Sequence, residues 1–110
     1  MVDDEPLVTY AVRRMLEYLS DTVECQEAGS GQEALDFVEQ GVQFDVIVSD
    51  VGMPGMTGVE LHRKIKGQLQ GTKFLFMSGG MRGNDEAYVR DEGIPLLCKP
   101  FLVSDLQALL

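Results

Sequence analysis

Asp3, Asp4, Asp50, Ser78 and Lys99 each stand where an apolar run stops. The two adjacent acids follow Met1-Val2, Asp50 closes DVIVSD (45–50), Ser78 closes KFLFMS (73–78) and Lys99 closes IPLLCK (94–99). A charge at the end of a buried strand is costly unless it is paired, capping, or held there for chemistry. These residue types suit phosphoryl chemistry. An ionised carboxylate is a nucleophile toward phosphorus and needs no general base. A hydroxyl and an ammonium can hold phosphoryl oxygens. Three carboxylates in one cleft repel one another unless a cation joins them. The chain has one histidine, His62, and two cysteines, Cys25 and Cys98. No His/Cys metal cluster can form from these, so a metal site must be built from oxygens, which selects a hard cation such as Mg²⁺.

These residues act together only if the chain brings them together. Pro6 to Ser20 reads as a helix, with Val8, Val12, Met15, Leu16 and Leu19 at helical spacing behind a proline suited to a first turn. TVECQEA (22–28) reads as a short strand. SGQE (30–33) is a capping box that opens a helix to Gln40, stopped by Gly41. FDVIVS (44–49) is a continuous apolar strand of the kind buried on both faces. TGVE (57–60) opens a helix ending near Gly67, and KFLFMS is a further buried strand. Residues 84–93 form a weaker helix with few apolar anchors, IPLLC (94–98) is a strand, and SDLQ (104–107) caps a last helix.

Strands that alternate with helices imply parallel pairing and right-handed crossovers. The predicted fold is α/β: a doubly wound five-stranded parallel sheet of order 2-1-3-4-5, a flavodoxin-like (βα)5 unit forming a single domain over residues 1–110. Its first strand is clipped, since only MVD precedes Asp4 where ~5–6 residues are usual. That fits a domain excised from or fused to others. In such folds ligands bind beyond the carboxyl ends of the strands. Asp3, Asp4, Asp50, Ser78 and Lys99 all fall at those ends.

The composition is 45% hydrophobic and 25% charged, with a net charge of −9. No basic patch is available to neutralise nucleic-acid phosphates. No apolar run approaches the ~20 residues of a membrane span. MVDDEP has neither the basic nor the apolar region of a signal peptide, so a cytoplasmic location is expected. Cys25 and Cys98 read as buried free thiols on opposite edge strands, beyond the ~7 Å Cα limit of a disulfide. His62, in ELHRKIK (60–66), reads as a surface residue on a polar helix face.

VDDE (2–5), DVIVSDVGMPGMTG (45–58), FMSGG (76–80) and KPF (99–101), in this order and spacing, resemble the receiver domain of two-component response regulators. The resemblance covers essentially the whole chain, and FLFMSGG with GIPLLCKPF leans toward the receiver of a hybrid sensor kinase. It implies that Asp50 is the phosphoacceptor. It also implies that Asp4, Asp50 and the Gly52 backbone carbonyl ligate Mg²⁺, with Asp3 acting through water. Ser78 would bind the phosphoryl group, Lys99 would pair with Asp50 and then with that group, and the Lys99-Pro100 bond would be cis. The implied donor is a histidine kinase or a histidine phosphotransfer domain. The implied recipient is an effector or output domain, with room for a homodimer. The domain would be a signalling module rather than an enzyme, with self-catalysed phosphotransfer and autodephosphorylation only.

Two competing readings are weaker. An aspartyl-phosphate phosphatase needs a second acid two residues after its nucleophile, and Gly52 stands there. A non-phosphorylated receiver-like interaction module would be expected to lack a site residue, and none is missing. One position departs from the family. Leu96 stands where an aromatic ring is usual, so a change at Asp50 is expected to move the Ser78–Gly83 loop and the 84–92 helix more than residue 96.

Overall fold

The computed structural model describes residues 1–20, 22–80 and 83–110. Three regular strands form a parallel sheet in the order β1 (Val46–Asp50), β2 (Lys73–Ser78), β3 (Leu96–Cys98). Helices α1 (Pro6–Leu19), α2 (Gly31–Glu39), α3 (Gly58–Ile65), α4 (Asn84–Glu92) and α5 (Val103–Leu109) connect and cover them, with a 3-10 turn at Lys66–Gln68 after α3. The doubly wound parallel arrangement is as predicted, and the two strand positions beyond β1 are reduced. Val2 forms a single bridge to Ser49 on one side and to Ala28 on the other. Its N–H donates to the Val48 carbonyl at 2.8 Å, and its carbonyl accepts from Asp50 N–H at 2.8 Å. The order 2-1-3-4-5 therefore survives as Ala28, Val2, β1, β2, β3.

The predicted strand at 22–28 is not formed, apart from the bridge at Ala28. A strand needs a partner of similar length, and only Met1 to Asp3 lie alongside. Met1 accepts from Ala28 N–H at 2.8 Å, and Asp3 N–H donates to Ala28 at 3.1 Å. Side chains hold this segment instead, since the Arg13 guanidinium of α1 donates to Glu27 at 3.0 Å. Residues 81 and 82 of the Ser78–Gly83 loop, which is expected to move, lie outside the described residues.

Strands β1 and β2 are buried on both faces, as their continuous apolar sequence requires. Their alternation divides the core. Ile47, Phe74 and Phe76 face α2, α3 and α4 through Ala34, Leu35, Val59, Leu61, Ile65 and Val89. Val48, Leu75, Met77 and Leu97 face α1 and α5 through Val12 and Leu106. Complete burial of a side chain such as Phe76 stabilises the fold by roughly 1.5–3 kcal/mol.

Helix ends follow the sequence signals in most places. Ser30 Oγ accepts from Glu33 N–H at 3.1 Å and Thr57 Oγ1 from Glu60 N–H at 3.2 Å. Gly93 closes α4 in the left-handed conformation, φ 66°. The last helix departs from expectation. It starts at Val103, so Ser104 lies inside it, and Asp105 caps it by accepting from Leu102 N–H at 2.9 Å.

Two other expectations are corrected. His62 is not a surface residue: it is 6% exposed and lies edge-on to Phe74, with ring centroids 4.8 Å apart. Both cysteines are free, but Cys98 is exposed and Cys25 half-buried, because the edge positions they occupy are not covered.

The turn between β1 and α3 depends on a glycine. Gly58 N–H donates to the Val51 carbonyl at 2.8 Å. A Cβ at this position would lie 2.0 Å from the Asp50 carbonyl oxygen. Gly58→Ala should therefore lower stability by about 2 kcal/mol, read as a shift in the urea midpoint. Gly52→Ala, where an added Cβ meets nothing within 4 Å, should leave the midpoint nearly unchanged.

Candidate functional site

The register of the sheet sets the site. Asp50 lies opposite Met77 and Ser78 opposite Cys98, so β1, β2 and β3 end together. Lys99 follows directly, its N–H donating to the Ser78 carbonyl at 2.7 Å. Asp3 and Asp4 arrive at the same edge from the bridge at Val2. Alternation of an extended backbone turns the first inward and the second outward. Asp3 is 1% exposed, whereas Asp4 is exposed.

Lys99 Nζ lies 2.9 Å from Asp3 Oδ2 and 3.1 Å from Asp50 Oδ1. One ammonium thus joins two carboxylates from different parts of the sheet. The other oxygen of Asp3 accepts from Glu5 N–H at 2.9 Å. Asp3 is therefore satisfied within the protein. Asp50 Oδ2 accepts no hydrogen bond among the described residues, and Asp4 is similarly free. Carboxylate oxygens of Asp3, Asp4 and Asp50 lie within 4.8 Å of one another, a spacing and donor set that fits a hard divalent cation. Gly52, two residues beyond Asp50, is exposed with open space around its Cα.

The electrostatics are opposed across the pair. Burial pushes the Asp50 carboxyl above its ordinary value, the hydrogen bond from Lys99 pulls it back, and the charge of Asp3 pushes it up again. Burial works to lower the Lys99 ammonium, but hydrogen bonds to Asp3 and Asp50 outweigh it, and the group is held above its ordinary value. Lys99 thus stays charged, and its charge opposes the upward push that burial and Asp3 exert on Asp50. Ser78 is buried, and its Oγ accepts from Gly80 N–H at 2.9 Å. That bond leaves the hydroxyl proton without an acceptor among the described residues. The Lys99-Pro100 peptide is cis.

Asp3, Asp4, Asp50, Ser78 and Lys99 thus all reach this edge. The bond between Lys99 and Asp3 was not foreseen; nothing in a lysine followed by a proline reveals which of three acids it will reach.

The sequence model of the response regulator receiver domain matches residues 1–110. This chain belongs to that family. It is 37% identical over 111 residues to the sensor kinase CckA of Brucella abortus, spanning 96% of this chain and 11% of that protein. It is 32% identical over 78 residues to the response regulator UvrY of Escherichia coli, spanning 71% of this chain and 35% of UvrY. The chain thus covers a minor part of these relatives. Among solved structures, the chemotaxis protein CheY4 of Vibrio cholerae superposes with a TM-score of 0.80 at 32% identity, covering 99% of this chain and 94% of that one. The receiver fold matches these neighbours even though its first two strands are reduced to bridges. No helix among the described residues is long and apolar enough to cross a membrane.

The shared ammonium is the source of a stability prediction. Lys99→Met leaves the buried Asp3 carboxylate without its counter-charge and should cost about 3 kcal/mol, measured by urea denaturation in EDTA at neutral pH. Adding Asp3→Asn should recover part of that loss, because the unpaired charge is gone. Equal midpoints for the single and double variants would show that the bond to Asp3 carries no weight.

Proposed function

We propose that this receiver domain accepts a phosphoryl group on Asp50 from a phosphohistidine of a histidine kinase or a histidine phosphotransfer domain. The observation that carries the reading is the Asp50 carboxylate held between the Lys99 ammonium at 3.1 Å and the two further acids at the sheet edge. A free oxygen of Asp50 attacks phosphorus as the phosphorus–nitrogen bond of the donor breaks. The imidazole leaves with the electron pair and takes up a proton from solvent. Asp50 needs no base, because it carries no proton when it attacks. Lys99 stays charged throughout and offsets negative charge as it moves onto the phosphoryl oxygens. Ser78 has a hydroxyl proton free to donate to one of those oxygens.

Asp4, Asp50 and the Gly52 carbonyl would hold Mg²⁺, with Asp3 reaching it through water. When bound, that ion neutralises charge on the transferred group. Asp3 suits the indirect role, since both of its oxygens already accept hydrogen bonds from the protein. The acyl phosphate would then change the face formed by residues 78–101 and be read by an effector or output domain. The match to a short stretch of a sensor kinase supports a receiver carried within a larger signalling protein.

Incubation with acetyl phosphate and Mg²⁺, read by intact mass, should show a gain of one phosphoryl group. The gain should vanish in Asp50→Asn and in EDTA. Asp4→Ala should weaken Mg²⁺ dependence at least about tenfold, since it removes one of few direct ligands. A label that persists in Asp50→Asn would place the phosphoacceptor elsewhere. A wild-type chain that gains no mass would instead be a receiver-like interaction module without phosphorylation.

A further inference from the structure

Helix α4 is held differently from the other helices. Val89 is its buried side chain, and its N-terminus at Gly83 has no side-chain cap. Its attachment to α3 is made of rings and charges. The Tyr88 hydroxyl lies 2.7 Å from His62 Nδ1. The Arg63 guanidinium sits 4.7 Å from the centre of the Tyr88 ring. Lys66, just beyond α3, pairs with Glu92 at 3.1 Å.

His62 in turn packs on β2. Its ring centroid is 4.8 Å from Phe74 and 6.1 Å from Phe76. Phe76 closes on the turn after Asp50. A Cβ at Gly58 would lie 3.1 Å from Phe76 Cε1 and 2.0 Å from the Asp50 carbonyl oxygen. Packed groups therefore run without a gap from the Asp50 backbone through Gly58, Phe76 and His62 to Tyr88. Leu96 is half-buried against the same core and has no polar tip with which to report a change.

We propose that the His62–Tyr88 hydrogen bond fastens helix α4 to helix α3, and that the state of the Asp50 site reaches α4 through it. The second half rests on the phosphoacceptor reading; the first does not. A part-buried polar bond suits such a device. It is directional and breaks outright, whereas apolar contact loosens gradually.

The fastening is also sensitive to protons. Neutral His62 can accept the Tyr88 proton at Nδ1, whereas the imidazolium donates there to the Tyr88 oxygen. Acid therefore acts less by removing the bond than by placing a charge on a ring packed against Phe74 and Phe76. Around the ring stand Tyr88 and Glu92 from α4, Arg63 and Lys66 from α3 and its following turn, and Phe74 and Phe76 from β2. Burial holds His62 below its ordinary value, with Glu92 opposing and Lys66 adding to the effect. A lowered folded-state value means that the fold prefers neutral His62. That preference is fully present above about pH 6.5 and is lost as the pH falls.

Hydrogen exchange of the α4 amides, corrected for intrinsic rate, tests the fastening in the unmodified chain. Tyr88→Phe and His62→Leu should each speed α4 exchange about fivefold, the loss of one hydrogen bond, while α2 stays unchanged. The double variant should match either single variant, because both remove the same bond. Lowering the pH from about 7.5 to about 5.5 should speed α4 opening in the wild type and not in His62→Leu. Unchanged exchange in Tyr88→Phe, or single effects that add in the double variant, would overturn the fastening.

The transmission is tested with Mg²⁺ and beryllofluoride, a phosphoryl mimic, followed by fluorine and amide NMR. Tyr88→Phe should keep the bound-fluoride signal and lose at least half of the α4 amide shifts. A full α4 response in that variant would overturn the transmission. A wild-type chain without bound fluoride would overturn the phosphoacceptor reading and the transmission with it, while the exchange rates still decide the fastening.

Discussion

The Lys99 ammonium between Asp3 and Asp50 is the interaction on which the active edge depends. Without a cation between them, two carboxylates, one fully buried, would face each other at the end of the sheet. With it, the short N-terminal segment, β1 and the residue after β3 are tied at one point. Lys99 itself is placed by backbone, through its N–H on the Ser78 carbonyl. The same contact that makes the edge tolerable also orders its chemistry. Asp50 keeps one oxygen engaged and one free, and Asp4 is left outward where a cation can reach it.

The two faces of the sheet are sealed by different means. On the side of α1 and α5, the seal is aliphatic: Val12 and Leu106 close over Val48, Leu75, Met77 and Leu97. On the other side aliphatic residues of α2, α3 and α4 also close over the sheet, and in addition an aromatic row of Phe74 and Phe76 meets a histidine, and through it a tyrosine on α4. Aliphatic packing is non-directional and holds a helix wherever area is buried. A hydrogen-bonded ring pair has a closed state and an open one. The helix that follows β2 and its terminal Ser78 is thus the one with a discrete attachment.

The sequence revealed most of this where one residue type has one use. KFLFMS and DVIVSD could only be buried strands, and their terminal polar residues were conspicuous for that reason. Capping at Ser30 and Thr57 was legible because a hydroxyl three residues before a glutamate has a specific local partner. The strand at 22–28 was misread because alternation of Val23 and Cys25 says nothing about whether a partner backbone is present. His62 was misread by residue type. Its spacing from Val59 and Ile65 already placed it on the buried face of α3, and a polar name concealed that. Long-range partners, such as Asp3 for Lys99 and Tyr88 for His62, had no local signature at all.

Both borders of the sheet are blunt. One is a single bridged residue at Ala28, and the other is the three-residue strand β3. Neither offers a rail of unpaired N–H and C=O groups long enough to template a strand from another chain. The segment best suited to such association, KFLFMS, is rich in aromatic and aliphatic residues and has no proline. It is also the longest strand, and it lies in the middle with β1 and β3 on its flanks. Resistance to aggregation therefore rests on β3. Three residues, carried between a loosely anchored helix and Lys99, stand between the most adhesive stretch of this chain and its neighbours in solution.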